Sequence, residues 1–145
     1  MSEMLGNRYF IARQYHKAAE QLEEALKDSA DPQKLKKKLI ICYIETGQVE
    51  KALRLFSSIV SMDPTIIINT DPYHEDCPCP ELVIGWEKTT DEDKMSVTDL
   101  ESLGMLYLYC DITKSLHYFK KAVLKAKNKA IISSIIKKIS SLETV

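Results

Sequence analysis

The chain has 145 residues, of which 45% are apolar and 28% charged, so it is long enough for a buried core and is not expected to be intrinsically disordered. Its formal net charge of −1 excludes a global basic field that would collect nucleic acid or anionic membrane. No apolar run approaches the roughly 20 residues of a membrane-spanning helix, and the first residues show no signal-peptide pattern. We therefore expect a cytoplasmic protein that binds neither nucleic acid nor membrane.

The first two-fifths of the chain repeat with a period of 34 residues. Four pairs carry the period: Leu5 and Leu39, Tyr9 and Tyr43, Ala18 and Ala52, Leu22 and Phe56. Alternating small and large residues predict pairs of closely packed helices, and each pair leaves an apolar face that a neighbour must cover. We predict repeats over about 1–32 and 33–66, the second opening at Asp31-Pro32, a helix cap followed by proline, and closing at Met62-Asp63-Pro64.

A third copy is predicted over 97–129. It comprises Leu103-Gly104-Met105-Leu106-Tyr107, then Ser115, Phe119 and Ala122. It is one residue shorter between its tyrosine and its phenylalanine, and it lacks the glycine that Gly47 supplies between the helices of the second copy. The first copy has Arg13 at that position. We therefore expect the third turn, around Cys110-Asp111-Ile112, to close differently, and Thr98-Asp99-Leu100-Glu101 to form a capping box.

Together these residues resemble the tetratricopeptide repeat over about three-quarters of the chain. The resemblance implies an all-α fold, a right-handed array of about three helical hairpins. The last segment carries an apolar helical stripe, Ile131, Ile132, Ile135, Ile136, Ile139 and Leu142. We predict that residues 130–145 form a helix that caps the last repeat, and a dimerisation helix is the alternative.

Residues 67–96 fit no repeat and form an acidic insert. Its formal charge is −6, against +5 for the rest of the chain. Pro80 to Trp86 is either a short helix or an extended run, because periodicity does not separate the two over so few residues. We expect the apolar cluster around Trp86 to dock on the body of the protein, and Thr89 to Lys94 to be a solvated linker.

His74, Cys77 and Cys79 form the one stretch of the insert with ligands suited to zinc. A structural zinc site needs four ligands, and a second cysteine knuckle is missing. Cys42 and Cys110 could complete a site only if the insert folded back onto them. We therefore expect small fillers in a turn stiffened by proline, with no cofactor, no bound metal and no obligatory disulfide.

The resemblance also implies where a partner binds, because the first helix of each pair lines a concave groove. We predict partner contacts from these residues: Asn7, Phe10, Lys34, Lys37, Ile41, Ile44, Met105, Leu108 and Tyr109. Relatives that grip the carboxylate end of chaperones use a lysine, two asparagines, a lysine and an arginine. Only Asn7 matches that set, whereas Glu3, Lys38, Thr98 and Ser102 stand at the other positions, which makes such a clamp doubtful. A mixed apolar and basic groove favours an acidic or amphipathic peptide.

These observations favour a non-enzymatic adaptor or scaffold that binds a protein or peptide. No catalytic constellation is visible in the sequence. The alternative is a small metal- or redox-linked protein that uses His74, Cys77 and Cys79. A third hypothesis is self-association through Ile131 to Leu142.

Overall fold

A computed structural model describes residues 2–71, 73, 75–89 and 91–143, without the side chains of Lys88 and Thr89. The described residues fold into α-helices without a strand. The helices are α1 Ser2–Ile11, α2 Tyr15–Leu26, α3 Pro32–Glu45, α4 Val49–Met62, α5 Thr65–Ile68, α6 Cys79–Thr89, α7 Val97–Tyr107, α8 Ile112–Val123 and α9 Lys129–Glu143. They form two compact units, Met1–Phe56 and Ser57–Val145. The predicted all-α class of helical hairpins is confirmed.

In the first unit, α2 packs against both α1 and α3. The approach to α1 is close because Gly6 lacks a side chain: a β-carbon there would lie 2.8 Å from Leu22 Cδ2. Helix α3 begins where the sequence predicts, with the Asp31 side chain accepting a hydrogen bond from the Lys34 backbone and Pro32 in the first turn. Two of the repeated pairs, Ala18 with Ala52 and Leu22 with Phe56, are completely buried in the core of this unit, whereas Leu5 of the first copy is exposed.

The turns of the first two hairpins have the same backbone geometry. Arg13 and Gly47 both adopt positive φ, 62° and 80°. The N–H of the next residue then bonds five positions back, from Gln14 to Tyr9 O at 2.9 Å and from Gln48 to Tyr43 O at 2.7 Å. This is the Schellman ending of a helix, in which a left-handed residue satisfies the last carbonyls. The 34-residue period therefore extends from the side chains to the backbone turns, although arginine takes the place of glycine in the first turn.

In the second unit, α7 and α8 form the third hairpin. Gly104 allows their contact, since a β-carbon there would lie 2.9 Å from the Phe119 ring, and the buried Ser115 hydroxyl donates to the Gly104 carbonyl at 2.6 Å. The turn closes without a positive-φ residue: the Asp111 N–H bonds Tyr107 O, and the Asp111 side chain caps α8. The expectation that this turn differs is confirmed.

The start of α7 corrects one detail of the sequence analysis. The capping box consists of Ser96 and Asp99, not of Thr98 and Glu101. The Asp99 backbone donates to the Ser96 hydroxyl at 3.2 Å, and the Asp99 carboxylate accepts from the Ser96 backbone at 3.1 Å. The prediction was wrong because serine and threonine can both cap a helix, and Ser96 with Asp99 offers the same three-residue spacing two positions earlier.

The insert is more ordered than a loop. It contains the end of α5, the whole of α6 and a turn of 3₁₀-helix at Glu92–Lys94. The open choice between helix and extended chain at Pro80 to Trp86 is settled as helix. Val83 and Met95 are buried, Trp86 is half-buried and Ile84 is exposed, so the apolar cluster is only partly covered.

The last helix, α9, packs on α8 and buries Ile132, Ile135 and Ile139. These residues are the centre of the predicted apolar stripe. They are covered within one chain, as expected for a capping helix. None of the helices in the described residues is long and apolar enough to cross a membrane.

Candidate functional site

Most of the residues predicted to contact a partner are buried in the described structure. Two are accessible: Lys34 is exposed and Asn7 is half-buried. The others are Phe10, Lys37, Ile41, Ile44, Met105, Leu108 and Tyr109, each less than 9% exposed. Contact with these buried residues remains a prediction, and it requires that their present cover moves.

The two accessible residues lie on either side of a positioned lysine in the first unit. Lys38 donates to Asn7 Oδ1 at 2.9 Å, and its ammonium lies 5.5 Å from the centre of the Phe10 ring. Lys34 precedes Lys38 by one helical turn and points into solvent. Helices α1 and α3 therefore expose the Asn7 amide and the Lys34 ammonium, with the buried Lys38 ammonium adding positive charge beside Asn7, and this arrangement suits an acidic ligand.

A second cluster of the first unit surrounds Tyr43 on α3, and its other members are Glu23 on α2 and Lys51 at the start of α4. Its hydroxyl donates to Glu23 Oε1 at 2.8 Å, and the Lys51 ammonium lies 4.6 Å from its ring and 3.6 Å from Glu23. Burial raises the pKa of Tyr43, and the Glu23 carboxylate raises it further. The hydroxyl, the carboxylate and the ammonium of this cluster contact one another, so we assign it to stability and not to binding.

In the second unit, the carboxylate of Glu87 anchors the insert on the third hairpin. Glu87 lies on α6 and accepts hydrogen bonds from the hydroxyls of Tyr107 and Tyr118, the latter at 3.2 Å. The two tyrosine rings stack at 5.5 Å, and Lys114 lies 3.8 Å from the carboxylate. Burial raises the pKa of both tyrosines, that of Tyr118 to about 12, and the charge of Glu87 contributes to each shift.

Glu92 makes the second anchor, in the 3₁₀ turn after α6. Its two oxygens lie 2.7 Å from His117 Nε2 and 2.5 Å from Lys121 Nζ, both on α8. The hydrogen bond from Lys121, followed by that from His117, lowers the pKa of Glu92. The predicted solvated linker is therefore corrected: at least Glu92 in it is bound to α8, because His117 and Lys121 lie four residues apart on that helix and both reach its carboxylate.

Sequence reasoning did not find the role of Glu87 or Glu92. The only signal was coarse, namely the opposite charges of the insert and of the rest of the chain. Lys114, His117 and Lys121 lie on one face of α8 at three- and four-residue spacing, which in retrospect marks a basic face.

The cysteine stretch of the insert has no described metal site. Of the predicted ligands, His74 lies outside the described residues. Among the residues that the structure describes, no group of three histidine, cysteine or acidic side chains is placed to hold a metal ion. Cys77 and Cys79 do lie together, with their sulfurs 2.8 Å apart. The described geometry thus supports a pair of thiols and gives no support to the metal alternative.

These helical hairpins, with small residues at the crossings and repeated turns, define an all-α helical repeat protein. Residues 9–67 match the family model of the tetratricopeptide repeat, so this part of the chain is similar to that repeat. The third hairpin lies outside the matched residues. Comparison with curated proteins and with solved structures gives no match. The family supports a role in protein–protein interaction in general.

Proposed function

We propose that this chain is an adaptor that binds an acidic or amphipathic peptide, and that its own acidic insert competes with that peptide. The observation that carries the proposal is the docking of Glu87 and Glu92 on the tyrosines and cations of the third hairpin. The chain thereby already binds one acidic segment. A partner with carboxylates at similar spacing would find the same donors.

The first unit carries a separate candidate surface for an acidic ligand, on which α1 and α3 supply the accessible Asn7 and Lys34 beside the buried ammonium of Lys38. Charges of this kind speed the encounter with acidic ligands and select against basic ones. The predicted apolar contacts of α3, Ile41 and Ile44, would then add buried area only after a rearrangement.

The insert covers part of α7, because its helix α6 packs against α7. Met105, Leu108 and Tyr109 are the predicted contacts on and just beyond α7, and all three are buried. Release of α6 would expose part of the α7 surface. A tethered segment competes at an effective concentration that can reach the order of millimolar, so weak anchors suffice to hold the insert in place.

The proposal is tested with a fluorescein-labelled peptide that carries glutamates on one helical face and leucines on the other, and with its lysine counterpart. Fluorescence anisotropy should show binding of the acidic peptide and a fall in affinity with salt. Lys34→Glu should weaken binding several-fold, whereas Lys27→Glu, the same charge change at the exposed residue that follows α2, serves as the control. Equal loss in both variants, or preference for the basic peptide, would refute the assignment.

The competition is tested separately with Glu87→Gln combined with Glu92→Gln. This double variant should bind the acidic peptide more tightly than the wild type, because the insert is less firmly held. The control combines Glu81→Gln with Asp93→Asn, two exposed acids of the same insert and the same charge change. If both double variants gain affinity equally, net charge explains the gain and the competition is rejected.

A further inference from the structure

A pair of thiols lies at the start of α6. In the sequence, it precedes the two carboxylate anchors of the insert, Glu87 and Glu92. Cys77 precedes the helix and is half-buried, and Cys79 is its first residue and is completely buried. The Cys77 thiol donates to Cys79 Sγ across 2.8 Å. A disulfide needs the two sulfurs at about 2.05 Å, so less than an ångström of approach separates this pair from bonding distance.

The backbone holds the pair in this arrangement. Asp76, directly before Cys77, has a positive φ of 54°, a conformation that costs a residue with a side chain on the order of 1 kcal/mol or more. Pro78 between the cysteines is buried and fixes its own φ. Its carbonyl accepts from the Glu81 backbone at 3.0 Å and from the Leu82 backbone at 3.1 Å, which ties the turn to α6.

We propose that Cys77 and Cys79 form a reversible dithiol–disulfide pair that is oxidised by small-molecule disulfides. The proposal does not depend on the proposed adaptor function. It is also distinct from a structural disulfide, because both cysteines are free thiols in the structure. A ring closed across a single residue is strained, and strained disulfides are the easily reduced, regulatory ones.

The reaction takes place in two exchange steps. The thiolate of Cys77 attacks one sulfur of the oxidant RSSR, and the first RSH leaves with the proton lost from Cys77. The thiolate of Cys79 then attacks Cys77 Sγ in the mixed disulfide, and the second RSH leaves with the proton of Cys79. Two thiols are oxidised, one RSSR is reduced to two RSH, and one sulfur–sulfur bond forms in the protein.

The order of attack follows from exposure. Burial raises the pKa of the Cys79 thiol well above its usual value, with the neighbouring Cys77 thiol adding to the shift. Cys77 is reached by solvent, so it meets the oxidant first and Cys79 resolves the mixed disulfide.

Cys110, in the turn between α7 and α8, is the competing thiol. It is exposed and lies near enough to Cys77 for the Cys77 charge to raise its pKa, after the larger effect of burial. It is therefore the residue that a test must separate from the proposed pair.

The test oxidises the purified full chain with oxidised glutathione, blocks remaining thiols with an alkylating reagent, and maps tryptic peptides by mass spectrometry. Cleavage after arginine and lysine places Cys77 and Cys79 together in residues 55–88 and Cys110 in residues 95–114. The expected product is peptide 55–88 without alkylation and lighter by two hydrogen atoms, restored by dithiothreitol. Recovery of 55–88 doubly alkylated, or covalently joined to 95–114, would overturn the proposal.

Variants separate the two steps. Cys79→Ser should stop at the mixed disulfide, with one glutathione on Cys77, whereas Cys110→Ser should oxidise like the wild type. If Cys110→Ser abolishes the internal disulfide, Cys110 is a required member and the two-residue pair is wrong. Circular dichroism of each variant checks that it has kept its helices.

Discussion

Replacing Arg13 by glycine should stabilise the chain, because Arg13 occupies a left-handed conformation that favours glycine. Its φ of 62° matches the 80° of Gly47 in the next turn, and both residues end a helix with the same backbone hydrogen bonds. A left-handed residue with a β-carbon costs about 1–2 kcal/mol. Glycine loses about 0.5–1 kcal/mol more than alanine through the entropy of the unfolded chain. The balance is a gain of about 0.5–1 kcal/mol in the free energy of unfolding.

Two further variants separate the backbone effect from side-chain contacts of the arginine. Arg13→Ala removes the side chain beyond the β-carbon and keeps the backbone strain. The free energy of unfolding of Arg13→Gly should therefore exceed that of Arg13→Ala by about 0.5–1 kcal/mol. Gly47→Ala should lower stability by a similar amount. A β-carbon at Gly47 would meet nothing within 4 Å, so its cost is conformational and not steric.

Urea unfolding followed by circular dichroism measures all three variants. With a dependence on urea of about 1–3 kcal/mol per molar, the expected midpoint shifts are on the order of 0.4 M. The reasoning is refuted if Arg13→Gly is no more stable than Arg13→Ala. It is also refuted if Gly47→Ala is as stable as the wild type, because the two turns would then not be equivalent.

Three further changes test the second unit. Ser115→Ala should lower the free energy of unfolding by about 1 kcal/mol, since it removes a buried hydrogen bond, and Ser134→Ala on the exposed side of α9 should leave the urea midpoint unchanged. In an alkaline absorbance titration Tyr118 should ionise near its pKa of about 12, and Glu87→Gln should lower that pKa only part of the way, because burial is the larger cause. The stability from this contact is complete below the unfolded tyrosine pKa of about 10, and it is lost as the pH rises through the pKa of Tyr118 in the folded chain. The lowered pKa of Glu92 means that its contribution is present above the unfolded value of about 4.3 and is lost as pH falls through the folded one, so Glu92→Gln should flatten the acid side of the stability profile measured by urea unfolding.

The fold was predictable because the repeat is local and periodic. Side-chain volumes recur every 34 residues at the helix crossings, and Gly6 and Gly104 lie where a β-carbon would clash with Leu22 and Phe119. Such small-to-large pairs are visible in sequence without knowledge of any long-range contact. The division of the chain into three repeats, an insert and a cap is a sequence prediction of the same kind and stays a prediction.

The candidate site was less predictable, because its contacts join distant parts of the chain. Glu87 bonds Tyr118 across 31 residues, and Glu92 bonds Lys121 across 29. No periodicity connects an irregular insert to the helix on which it docks, so only the opposite charges gave a hint. The burial of Ile41 and Ile44 was missed for a related reason: position within a repeat predicts which residues face inward, but not whether that face is open.

Unequal strength of the two anchors has a consequence for the proposed competition. The carboxylate of Glu87 accepts from the hydroxyls of Tyr107 and Tyr118, two largely buried residues, and hydrogen bonds to a charged group contribute about 1.5–3 kcal/mol each. Glu92 contacts instead Lys121 and His117, whose side chains are 37% and 50% exposed, and such exposed pairs contribute little in water. A peptide present at about 100 times its dissociation constant supplies about 2.7 kcal/mol, comparable with one hydrogen bond to Glu87. Glu87 therefore sets the threshold that a partner must overcome, and Glu87→Gln alone should give most of the affinity gained by the double variant. If Glu92→Gln alone gives as much, the insert is held by charge in general and not by the tyrosine pair.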